Sequence, residues 1–149
     1  MLTTIHTFLK KHLGSVDDTR DDKRALQLAT AALLMEVARA DTRVTEEERQ
    51  TIRRVIEAHF TLSPEDTRSL TVSAERKAED ATSLYPFTRL INAECSLQDR
   101  VEIIRMLWEV TMSDGHKGDH EEHLVRKVAR LLHVPHREFI RTKLQVVEG

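Results

Sequence analysis

Residues 34–55 and 107–128 lie over one another without a gap at an offset of 73 positions. Seven of the 22 aligned pairs are identical: Leu34/Leu107, Glu36/Glu109, Val37/Val110, Asp41/Asp114, Glu48/Glu121, Arg53/Arg126 and Val55/Val128. Two amphipathic segments of similar composition share fewer positions by accident, so the chain reads as an internal duplication of a helix–loop–helix unit. A chain built this way has to bury two related apolar faces against each other. The repeat spans about 25–62 and 98–134, within a single domain covering 1–149.

Apolar periodicity makes those units helical. The stretch 22–40 is apolar almost all round (Ala25, Leu26, Ala29, Leu33, Leu34, Val37) and is expected at the centre. Thr45 opens a helix that turns Ile52, Val55, Ile56 and Phe60 inward. Ser63-Pro64 starts another, with Ser as cap and Pro at the first helical position. Tyr85-Pro86-Phe87 restarts the chain as a short helix carrying Leu90 and Ile91. Ser96 caps a helix to about 112, with Leu97, Val101, Ile104 and Trp108 on its inner side. A helix over about 119–132 turns in Leu124, Val125, Val128, Leu131 and Leu132. After Pro135 a last helix presents Phe139, Ile140 and Leu144. At the start, Leu2, Ile5, Phe8, Leu9 and Leu13 predict a helix over 2–13, followed by a polar linker at 14–21. Only four Gly and three Pro leave little turn chemistry for a many-stranded sheet. The expected fold class is all-α, with seven to eight helices in a bundle of two related halves.

Several functions are excluded by what the chain lacks. A net charge of −2 and 4% aromatic residues give neither the electrostatics nor the stacking platforms of a nucleic-acid binder. No stretch approaches the ~18 apolar residues of a membrane span. MLTTIHTFLKKHLG has no basic leader and no continuous apolar core, so it does not read as a signal peptide. The single cysteine, Cys95, permits no disulfide within the chain and reads as a buried, inert thiol in a cytoplasmic protein. There is no Gly-rich phosphate loop, no G-x-S-x-G elbow and no Cys/His motif, so no enzyme is expected.

The acids shared by the two copies carry the functional reading. Glu36 and Glu109 fall in the last turns of apolar helices. Asp41 and Asp114 follow at the helix ends, and Glu48 and Glu121 open the next helices. A loop that reverses the chain brings the three carboxylates of each copy within reach of one another. Oxygen ligands of that kind suit Ca²⁺ or Mn²⁺ better than Zn²⁺. The competing reading is structural. Thr45-x-x-Glu48 is a capping box, acids in a first turn favour the helix dipole, and Arg39 and Arg105 are spaced to pair with Glu36 and Glu109. DTRVTEEERQTI fails the EF-hand pattern at most positions. His116, His120 and His123 have Zn²⁺-like spacing but occur only in the second copy, against Arg43, Glu47 and Gln50 in the first, and HEEH is not HExxH.

LLMEVARADTRVTEEERQTIRRVI, LYPFTRLIN, MLWEVTMSDG and HEEHLVRKVARLLHVPHREFI together resemble the tellurite-resistance protein B (TerB)-like family of bacteria, over roughly residues 25–145. The paired E-V-x-x-x-D loops are the most specific part. The resemblance implies two related helical halves and a soluble bacterial protein of tellurite resistance or stress physiology. It attaches no enzyme activity and implies metal binding at acidic positions, which fall here on Glu36, Asp41, Glu48, Glu109, Asp114 and Glu121. Thr42 stands where the family usually has Gly, and Lys117 occupies the loop position filled by Val44 in the first copy. Two functions follow as expectations: a non-enzymatic, cation-binding helical module, or a metal-free scaffold that docks a protein partner through a groove between the halves.

Overall fold

A computed structural model describes residues 16–39, 43–113 and 119–149, with side chains from Asp22 in the first segment and from Glu121 in the last. These residues form seven helices and, among them, no strand: α1 (Val16–Ala38), α2 (Glu46–Phe60), α3 (Pro64–Asp80), α4 (Tyr85–Glu94), α5 (Leu97–Thr111), α6 (Asp119–Leu131) and α7 (His136–Glu148). The helix expected over 2–13 lies outside the described residues.

Helix starts follow the local chemistry. Thr45 caps α2 with a full capping box: its hydroxyl accepts from Glu48 N–H at 3.1 Å, and the Glu48 carboxylate accepts from Thr45 N–H at 2.8 Å. Ser63 caps α3 ahead of Pro64, and Ser96 caps α5. One expected boundary is corrected: the polar linker at 14–21 is helical from Val16 onward. VDDTRDD contains neither Gly nor Pro, and acids in the opening turns of a helix lie at the favourable end of its dipole. Two side chains expected inside are exposed. Leu97 and Leu144 sit at 43% and 47% exposure, at the start of α5 and towards the end of α7.

The core is centred on α1 against α5. Ala31 to Met35 and Ile103, Ile104, Met106, Leu107 and Trp108 are fully enclosed. α3 packs along α1, and α7 packs along α5. α2 and α6 each touch both central helices, so each half lends its second helix to the other. α4 joins the halves, resting on α1 and α6. The same order therefore recurs in α1–α2–α3 and α5–α6–α7. Even the stops match: Thr61 and His133, at φ 53° and 56°, end α2 and the α6 segment in the left-handed region. A β-branched Thr there is held against a cost of roughly 1–2 kcal/mol, so packing rather than glycine chemistry ends α2. The indole of Trp108 stacks on Phe139 at 5.1 Å between centroids and donates to the Phe139 carbonyl at 3.3 Å, fixing α7 to α5.

Two carboxylates in this frame carry opposite pH signatures. Asp99 is 1% exposed, and its Oδ1 has no hydrogen-bond partner among the described residues. Burial raises its carboxyl above the usual range, partly offset by hydrogen bonds from Ser96. Glu75 on α3 receives Nε and an Nη of Arg49 on α2, both at 2.8 Å, and that hydrogen-bonded guanidinium holds its carboxyl below the usual range. Burial also pushes the Cys95 thiol up to about 12, which keeps it protonated and unreactive.

Leu34→Ala and Leu107→Ala are each expected to cost about 2–5 kcal/mol in urea unfolding, since both side chains are fully enclosed. A raised carboxyl favours the fold when protonated, and this contribution is lost as pH rises from the ordinary aspartate value of 3.8 through the raised one. Asp99→Asn should therefore raise Tm at pH 7, with the gain vanishing below that value. A depressed carboxyl stabilises above 4.5, and its contribution is lost as pH falls through the depressed value. Glu75→Gln should therefore lower Tm at pH 7 and flatten the acid limb. Melting curves across pH 3–7 check both signs.

Candidate functional site

Residues in and just beyond the last turns of α1 and α5 line two clefts. The first, of about 500 Å³, is bounded by Glu36 of α1 with Arg39 just beyond it, Glu79 of α3, and His123, Leu124 and Lys127 of α6. The second, of about 400 Å³, is bounded by Glu109 of α5 with Met112 and Ser113 just beyond it, and by Thr51, Arg54 and His59 of α2. At the repeat offset these walls correspond: Glu36 with Glu109, Arg39 with Met112, Leu124 with Thr51, and Lys127 with Arg54. Each cleft thus joins the first helix of one half to the second helix of the other. Both clefts are open to water, without the enclosure of a substrate pocket; the first is the more polar, while Val55, Ala58, Met112 and Val146 make the second the more apolar.

The shared acids are distributed as follows. Glu36, 23% exposed, accepts from an Nη of Arg39 at 2.9 Å, and the same nitrogen donates to the Ala78 carbonyl at the end of α3, also at 2.9 Å. Glu48 is the acid of the α2 capping box, through one oxygen. Glu109 does not pair with Arg105, which reaches Glu102 instead at 3.1 Å. Its partner is His59 of α2: Nε2 lies 3.2 Å from Glu109, and Nδ1 lies 3.4 Å from Glu102. Glu121 is half-buried in the first turn of α6, the place Glu48 holds in α2. Asp41 and Asp114 lie outside the described residues. Among the described residues, no three His, Cys, Asp or Glu side chains come together as a metal-holding group. Among the described residues, Glu36, Glu48 and Glu109 each make hydrogen bonds through one carboxylate oxygen.

Of the three histidines with Zn²⁺-like spacing, His116 and the side chain of His120 lie outside the described residues. His123 is exposed on the wall of the first cleft. His59 is a site residue that sequence reasoning missed. It stands in the last turn of α2, fifty positions from Glu109, and only the crossing of α2 over α5 joins them. The Arg49–Glu75 fork was missed for the same reason. Arg49 is raised further above its already high range by the Glu75 hydrogen bond, so the pair is a permanent tie between α2 and α3. A third hollow next to the first cleft, lined by Arg39, Arg43, Arg49, Glu75 and Glu79, continues this band of alternating charge.

Among the described residues, no helix is long and apolar enough to cross a membrane. Comparison with curated proteins and with solved structures gives no match to this chain. Comparison with family profiles gives one of direct bearing: the family described as Tellurite resistance protein TerB matches residues 27–144, from the second half of α1 to the last turns of α7. The match takes in the first cleft, all of the second but Val146, both acidic loops and all seven helices in whole or part, and on that extent the chain belongs to the TerB family.

Proposed function

We propose that the chain is a non-enzymatic TerB module of bacterial stress physiology that holds a divalent cation at its acidic loops. The candidate ligands are Glu36, Asp41 and Glu48 in the first half and Glu109, Asp114 and Glu121 in the second. The observation that carries this reading is the state of the described carboxylates. Each of Glu36, Glu48 and Glu109 is held through one carboxylate oxygen by a neighbour, and among the described residues no hydrogen bond meets the other. Carboxylates that ligate metals are commonly oriented in this way, by a hydrogen bond to the oxygen the metal does not use. Hard oxygen donors favour Ca²⁺ or Mn²⁺. An ion that binds only the folded chain raises its stability, by about 2.7 kcal/mol at one hundred times Kd.

The second reading is a metal-free scaffold for a protein partner. Leu144 and Val147 favour it, because both are exposed on α7 at 47% and 57%. Calorimetric titration of chelator-stripped protein with Ca²⁺, Mn²⁺ and Zn²⁺, repeated on Asp41→Asn/Asp114→Asn, separates the two. Saturable Ca²⁺ or Mn²⁺ binding that disappears in the double variant is the expected outcome. Zn²⁺ binding alone, indifferent to those changes, would move the site to the histidines. No binding of any ion would leave the scaffold reading.

A further inference from the structure

α1 and α3 pack along each other, and a hollow of about 260 Å³ lies between them, away from both clefts. Lys23, Arg24 and Gln27 of α1 form one wall. Asp66 and Leu70 of α3 form the other, with Leu62 just ahead of α3. Spacings of three and four residues put each set on one face of its helix.

Gln27 is 8% exposed, and its Nε2 has no hydrogen-bond partner among the described residues. A buried amide that donates to nothing is destabilising, and native structures hold few of them. The counterpart of Gln27 at the repeat offset of 73 is Arg100, whose Nη donates to the Leu132 carbonyl at 2.6 Å. The second half supplies an acceptor at this place, and the first leaves the donor open towards a hollow.

The charged groups of the hollow are open as well. Among the described residues, no ion pair links Lys23 or Arg24 to Asp66 or to any other acid. Two cations and an N–H donor on one wall suit a carboxylate. Asp66 on the opposite wall suits an ammonium group, and Leu62 and Leu70 suit an aliphatic body. The volume is below the roughly 300–1,000 Å³ of pockets for drug-sized ligands, so the occupant is small. A dicarboxylate or a phosphate ester would set its second charge against Asp66. A simple amine would leave Gln27 Nε2 without an acceptor.

We propose that this hollow binds a small α-amino acid with an aliphatic side chain. Its carboxylate accepts from Gln27 Nε2 beside Lys23 and Arg24, its ammonium group meets Asp66, and its side chain lies against Leu62 and Leu70. The site does not depend on the cation reading above.

The test is calorimetric titration of the full chain with L-leucine, L-valine, isocaproate and isopentylamine. The last two keep the aliphatic body of leucine with one of its two charges each. Leucine is expected to bind saturably, and each single-charge analogue at least about tenfold more weakly, the size of one lost charge-assisted hydrogen bond. Gln27→Leu is expected to weaken leucine binding by a similar factor while raising the Tm of the unliganded chain, because it removes the unmet donor. A purely structural Gln27 would lower that Tm instead. Asp66→Asn is expected to weaken leucine and leave isocaproate unchanged. The inference is overturned by no saturable binding of leucine or valine, or by isocaproate binding more tightly than leucine. Leucine affinity unchanged in both Gln27→Leu and Asp66→Asn, with circular dichroism intact, also overturns it.

Discussion

Everything in this molecule hangs on the burial of α1 against α5. Each contributes a nearly continuous apolar surface, from Ala31 to Met35 on one side and from Ile103 to Trp108 on the other, with only Arg105 breaking the second run. Neither helix is stable alone with that surface exposed, because a helix of this length draws most of its stability from tertiary packing. Once they meet, the remaining surface of each is a trough. α3 closes one trough and α7 the other, and α2 and α6 span both central helices. Glu36 and Glu109 fall in the last turns of that pair, so a change in the register of α1 on α5 would shift one against the other.

The fold was largely legible in the sequence because its signals are local. Periodic apolar residues, Thr45, Ser63 and Ser96 as caps, and Pro64 at a helix start each act within one or two turns. Misreadings came where a local signal was weak or a neighbour was absent. VDDTRDD looked like a linker because polar residues carry no period, yet nothing in it stops a helix. Leu97 and Leu144 fit their apolar stripes, yet lie near helix ends and stay exposed.

The candidate site was legible only as a list of acids. That Glu36 matches Glu109 and Glu48 matches Glu121 follows from the repeat, but their partners do not. Glu36 meets Arg39 at helical spacing, which sequence can suggest, and the Ala78 carbonyl, which it cannot. His59 reaches Glu102 and Glu109 across a crossing of α2 and α5 that no spacing encodes. Asp99 appears in the sequence as one more first-turn acid, and only the packing around it makes it a buried one. The rule behind these cases is that one-dimensional pattern fixes which face a residue takes, while partners across elements depend on helix crossings.

Trp108 is the only tryptophan in the chain, and it is sealed at the junction of α5 and α7, stacked on Phe139 with Lys143 5.5 Å above its ring. An indole in that setting emits from an environment without water, flanked by one aromatic ring and one ammonium group. Its fluorescence is thus a single-site optical gauge of whether the last helix is seated. A detached α7 would shift that emission to the red even with α1, α2 and α3 intact, so the chain carries its own probe for independent opening of its second half.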